Sequence, residues 1–223
     1  MTFFEQIFAW RSVGPKQWLM VLAGVLFIFC AWKRRALRRG YDLCDRGFYF
    51  IPELPVETVR SLQQGLFLNK AILEAASPVM KGEDDDIFWT IFNTAYSAGS
   101  GKKQKICNHT IVCARMQGQA FPSVQVVSLP FLVQSGISFL PKSNVFARQP
   151  GLAQKYAVRA FDPEQAKKLF KGRVCSYLKK NKRDFWFCLY GDIFVCCFLT
   201  LSEPDRFSLL LEEAEDLLFR LLP

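Results

Sequence analysis

The stretch at residues 184–201, "DFWFCLYGDIFVCCFLTL", sets the tightest limit on what this chain can become. Gly191-Asp192 separates two runs of strand-forming residues, the pattern of a two-residue hairpin. Both runs are apolar at successive positions rather than alternate ones, so each strand needs cover on both faces. The hairpin is therefore expected near the centre of a sheet that is packed on both sides. Read instead as a membrane span, it would carry Asp184 and Asp192 toward hydrocarbon, an expensive placement.

Other segments supply partners for it. "DIFWTIFNTAYS" and "KQKICNHTIVCARMQ" are rich in Ile, Phe, Thr and Val and read as strands at 86–97 and 104–116. "FPSVQVVSLP" and "KYAVRAF" add two more. After the latter, Asp162 suits an N-cap, Pro163 the first helical position and Gln165 the capping-box return, with Gly172 ending or breaking the helix. The final segment places Phe207, Leu210, Leu211, Ala214, Leu217, Leu218 and Leu221 on one helical face, and Glu212, Glu213, Glu215 and Asp216 on the other. Residues 41–85 carry the weakest pattern: an apolar run, a short helix after Pro55, and a solvated acidic loop at 83–86. The expected class is α+β, a mainly antiparallel sheet with amphipathic helices, spanning 41–223.

Ahead of this domain, residues 18–32, "WLMVLAGVLFIFCAW", hold fifteen residues without a charge. At about 1.5 Å per residue they fall short of a ~30 Å hydrocarbon core, but Gln17 and snorkelling Lys16 and Lys33 extend the reach. A buried core helix would not end in "KRRALRR", so the segment at about 17–32 reads as a transmembrane helix within an N-terminal unit, 1–40. A short interfacial helix or an unstructured aromatic tail precedes it, with Phe3, Phe4, Ile7 and Phe8 at helical spacing. Two cations stand before the span and five after it, which places the C-terminal domain in the cytoplasm beneath an inner or plasma membrane, in single-pass topology.

The net charge of +9 divides unevenly, with +6 in residues 1–40 and the remaining +3 in the domain. That division weakens a nucleic-acid reading of the domain. Eight cysteines without a CxxC pair, three of them inside apolar runs, fit a reducing compartment and free thiols better than a disulfide framework.

"AYSAGSGKK" invites comparison with a phosphate-binding loop. The first glycine of a Walker A motif would fall at Tyr96 and the magnesium-binding hydroxyl at Lys103, and a strand follows rather than a helix. Gly99-Ser100-Gly101 is better read as the tip of a hairpin joining 86–97 to 104–116. His109, the only histidine, shares a strand face with Cys107 and Cys113. Alternate strand positions stand about 6.6 Å apart along the chain and no second ligand cluster completes a metal site, so His109 is expected as a strand residue near the surface. No catalytic, cofactor-binding or metal-ligating residue is assigned, and the pattern reads against an enzyme.

Lys167, Lys168, Lys171, Arg173, Lys179, Lys180, Lys182 and Arg183 place eight cations in seventeen residues with no acid among them. Only Phe170 and Tyr177 are available there to stack on bases, which disfavours nucleic acid. An anionic membrane surface suits the run better, and a solvated helix face explains it as well. Lys102, Lys103 and Lys105 on the hairpin tip add to the candidate anionic-surface contacts.

"FNTAYSAGSGKK", "NHTIVCARM" and "YAVRAFDPEQAKKLF", followed by the hairpin and the terminal helix, occur in an order that resembles uncharacterised bacterial membrane-anchored proteins. In these, a membrane segment precedes a domain with an F-x-Y-x-Y-like strand, a GSGK tip and an H-T-V-V-like strand. Phe92, Tyr96, Gly99, Gly101, Lys102, Thr110 and Val112 match that pattern, and Thr94 departs from its middle aromatic. The resemblance covers about residues 86–222 and implies an architecture and a location without an activity. The expectation is a membrane-anchored interaction or scaffold module with a protein partner. The alternative is a sensor of anionic lipid or ligand at the inner membrane surface.

Overall fold

The computed structural model describes residues 43–65, 76–84, 86–98, 105–135, 145–146, 149–199 and 202–222. The proposed span and its basic flank lie outside these residues, as do Lys102 and Lys103. Among the described residues no helix is long and apolar enough to cross a membrane.

The described strands are β1 (Tyr49–Ile51), β2 (Val79–Asp84), β3 (Ile87–Ala98), β4 (Lys105–Met116), β5 (Phe121–Ser128), β6 (Tyr156–Ala160), β7 (Phe185–Gly191) and β8 (Ile193–Phe198). They form one eight-stranded sheet in the order β1-β2-β3-β4-β8-β7-β5-β6. Every neighbouring pair is antiparallel. The β7–β8 hairpin lies inside the sheet, flanked by β4 and β5, and both of its faces are buried, as its sequence requires. Gly191 supplies the turn with φ +59°, the left-handed geometry that a type II′ turn demands at its first central position. Arg115 of β4 donates from Nε to Asp192 at 2.8 Å and ties that turn to the neighbouring strand.

The helices are α1 (Val56–Gly65), α2 (Leu129–Ser135), α3 (Pro150–Ala153), α4 (Pro163–Leu169), α5 (Gly172–Lys180) and α6 (Phe207–Leu221). α3 to α6 cover one face of the sheet. Their buried side chains Leu152, Ala166, Val174 and Leu178, with the apolar stripe of α6, join Trp89, Ile91, Val112, Val126, Phe187 and Phe194 in one core. The seven α6 positions expected to face inward are all buried. Phe187 packs between Phe185 (5.9 Å between ring centroids), Phe170 (6.3 Å) and Phe194 (6.4 Å). α1 and α2 lie on the opposite face, where Leu62 and Phe131 meet Phe92, Ile111, Cys113, Trp186, Cys188 and Cys197.

Two readings of the sequence need correction. The acidic stretch is less of a loop than expected: β2 runs through Asp84, and Asp86, at φ +63°, leads into β3. Glu213 and Glu215 of α6 do not simply face solvent, because Arg183 meets Glu213 at 2.9 Å and Arg46 meets Glu215 at 2.7 Å. Arg46 also bonds Asp84 of β2, so it clamps the start of the described domain to both sheet and terminal helix. Close to that clamp, Phe48 lies flat on Gly82, where a Cβ would stand 2.5 Å from the ring.

A buried polar triad closes the chain's exit from the hairpin. Thr110 donates to Asn93 Oδ1 (2.6 Å), Asn93 Nδ2 donates to the Ser202 carbonyl (2.8 Å), and the Ser202 amide donates to Thr110 Oγ1 (2.9 Å). Each member answers the others, so the polar atoms are satisfied inside the core. The triad also fixes the segment that leads from β8 into α6.

Candidate functional site

The cationic run of the sequence does not form one patch. α4 begins at Asp162, whose carboxylate accepts from the Glu164 amide (2.9 Å) and the Gln165 amide (3.1 Å), with Pro163 at the first helical position. The side-chain half of the expected capping box is not made. α4 ends at Leu169, and Gly172, at φ +40°, redirects the chain into α5. That break separates the cations into groups at opposite ends of α5.

At its N-terminal end, Lys168, Lys171 and Arg173 surround a cleft of about 570 Å³ between α4, α5, the end of α6 and the start of β5. Arg220 of α6 is the fourth cation on its lining, and among the described residues no acid lines it. Phe121, Leu169, Val174 and Leu221 supply an apolar wall. Arg220 is held by Asp216 at 2.7 Å and stacks 5.4 Å from the Tyr177 ring. Arg173 donates to the Leu222 carbonyl at 3.2 Å, while Lys168 and Lys171 meet no acid among the described residues. No side chain caps the first turn of α5, so its amide dipoles add to the positive side of the cleft.

At the other end, Lys179, Lys180, Lys182 and Arg183 are exposed. Here the charge is partly answered, since Arg183 and Asn181 both engage Glu213. Lys167 stands apart from both groups, paired with Glu164 at 2.6 Å. Lys105 opens β4 and pairs with Ala98 across the hairpin, well along the chain from either group. The structure thus joins Lys168, Lys171 and Arg173 with Arg220, a residue that sequence alone did not single out. Its only sequence signal is the i,i+4 spacing to Asp216, which is common on helix surfaces.

A second depression lies on the opposite face, about 520 Å³ in volume, under α1. Both signs of charge line it, and Arg115 links Asp192 at 2.8 Å with Glu57 at 3.3 Å. These charges satisfy one another, which leaves it without a dominant electrostatic preference.

His109 is corrected from a near-surface residue to a buried one, 1% exposed, packed 5.4 Å from the Phe131 ring. Burial lowers its pKa from 6.5 to about 4, against a backbone hydrogen bond with Phe198 that acts the other way. It shares its face with Cys107 and Cys113, both buried. Burial pushes the thiols of Cys113, Cys188, Cys196 and Cys197 well up, so they stay protonated and unreactive at neutral pH. Cys44, Cys113, Cys175, Cys188, Cys196 and Cys197 are free thiols. Among the described residues no group of three His, Cys, Asp or Glu could hold a metal ion.

No family model matches the chain. No curated protein matches it in sequence. Among solved structures, its fold is similar to the crystal structure of the mycobacterial trehalose monomycolate transport factor A, TtfA, with a TM-score of 0.52 and 13% identity. The correspondence covers 85% of this chain and 96% of that one. At that identity the likeness is one of fold, and it places the α+β architecture beside that of a bacterial protein. Phe92, Thr110 and Val112, three residues of the sequence resemblance, are buried in β3 and β4 and serve that shared architecture.

Proposed function

We propose that this chain is a non-enzymatic accessory protein of a membrane transport system. In this reading the α+β domain makes the contacts, and residues 1–40 hold it under an inner or plasma membrane by one span. The observation that carries it is the fold correspondence, which takes in 96% of a protein described as a transport factor. An accessory role of the same kind is proposed here, without that protein's cargo. The state of the domain's reactive groups supports the reading. Its histidine is packed in the sheet and the thiols of Cys113 and Cys196 are held protonated by burial, so these groups serve packing. The uncharged run at 18–32 with five cations behind it supports the location.

Crosslinking of the full-length chain in its native membranes, read by mass spectrometry, tests the proposal. Links from lysines of α4 and α5 to an integral membrane transport protein are expected. Recovery of the chain in the soluble fraction, or links to soluble enzymes alone, would overturn it.

A further inference from the structure

The cleft at the α4–α5–α6 corner has a composition that specifies a ligand class, and this rests on its own geometry rather than on the transport reading. We propose that the cleft binds a phosphate monoester group, with the apolar stem of the ligand against Phe121, Leu169 and Leu221. Lys168, Lys171 and Arg173, with Arg220 already paired to Asp216, line a volume of about 570 Å³ in which no acid of the described residues takes part, so the cleft favours an anionic occupant. Lys168 and Lys171 carry no acidic partner among the described residues, and Arg173 commits one nitrogen to the Leu222 carbonyl. Most of its planar fork is left for an anion. A guanidinium beside two ammonium groups suits the several oxygens of a phosphate better than a single carboxylate. Arg220 is fixed by Asp216 and Tyr177, which holds its charge on the rim without further ordering cost. The apolar wall continues directly into the helix-covered core, so an aliphatic stem would leave water as the phosphate meets the rim.

Phosphate monoesters reach such a cleft either as lipid headgroups or as soluble compounds, and a titration can separate the two. Full-length protein in phosphatidylcholine nanodiscs would be titrated calorimetrically with dihexanoyl phosphatidic acid, inorganic phosphate and dihexanoyl phosphatidylcholine. Tighter binding of the phosphatidic acid than of phosphate identifies a lipid ligand, and equal binding identifies a soluble one. Dihexanoyl phosphatidylcholine, a zwitterionic diester, should show no measurable binding and should not compete. Lys168→Gln/Lys171→Gln should weaken binding by about tenfold, whereas Lys179→Gln/Lys180→Gln, with the same change in charge at the other end of α5, should change it less than about twofold. Equal weakening by the two double variants would reduce the effect to general surface charge and overturn the proposal. So would the absence of binding to both phosphate probes.

Discussion

The two faces of the sheet are made of different material. Beneath α3 to α6 the strands present interlocking aromatic rings and meet a fifteen-residue amphipathic helix. Beneath α1 and α2 they present thiols, Thr94, His109 and Trp186 along with smaller aliphatic groups. The first face is where large apolar area is buried and where the cationic cleft opens at one corner. The second holds the buried His109, whose pKa burial lowers, while neutral buried thiols lie on both faces, Cys196 on the first and Cys113, Cys188 and Cys197 on the second. Stability should therefore be concentrated on the first face and the histidine-linked pH sensitivity on the second.

The sharpest way to break that contrast is a matched pair on β7. Phe187→Ala removes a fully buried ring from the helix-covered face and should cost roughly 3–5 kcal/mol, while Cys188→Ala on the opposite face should cost about 1 kcal/mol. Urea unfolding followed by far-ultraviolet circular dichroism measures both. Comparable losses would mean that the faces contribute alike.

The second test concerns proton uptake. Because burial holds the His109 pKa near 4 in the folded chain against 6.5 when it is exposed, the unfolded chain takes up a proton first as pH falls. The stability linked to the neutral ring is complete above about pH 6.5 and is lost as pH drops through about 4, by up to about 3 kcal/mol. His109→Gln should flatten that part of the stability–pH curve. A curve parallel to the parent's would assign the slope to other groups.

Smaller effects should come from the polar devices on the helix-covered side. Asn93→Ala leaves Thr110 and the Ser202 carbonyl short of a partner inside the core, at a cost of about 1–3 kcal/mol. Gly82→Ala drives a methyl into the Phe48 ring and should cost a similar 1–3 kcal/mol, read from the same unfolding curves. Asp162→Ala removes the cap of α4 and should cost about 1 kcal/mol. Since α4 carries Lys168, this last variant should also loosen the cleft more than it destabilises the fold.

Legibility followed the same division. The α6 stripe, the β7–β8 hairpin and the β3–β4 pairing could be read directly, because each is enforced by local periodicity or a turn residue. β1 and β2 could not. β1 has three residues, and β2 includes Lys81, Gly82, Glu83 and Asp84, which look like a loop until pairing with β3 gives them a partner. His109 escaped for a related reason. Nothing in "NHTIV" tells that α2, much further along the chain, folds Phe131 over the ring. For the cleft, the sequence showed where the cations are dense. It could not show that Glu213 answers one end of α5, nor that the chain's last helix returns Arg220 to the other.

The proposed location puts the domain at the cytoplasmic face of a membrane, and Cys44 offers its most direct measurement. It is exposed, whereas the other six described cysteines are buried. In a Cys30→Ser background, a membrane-impermeant maleimide applied to intact cells should leave Cys44 unlabelled and should label it fully after permeabilisation. Labelling of Cys44 in intact cells would put the domain on the other side and contradict the account.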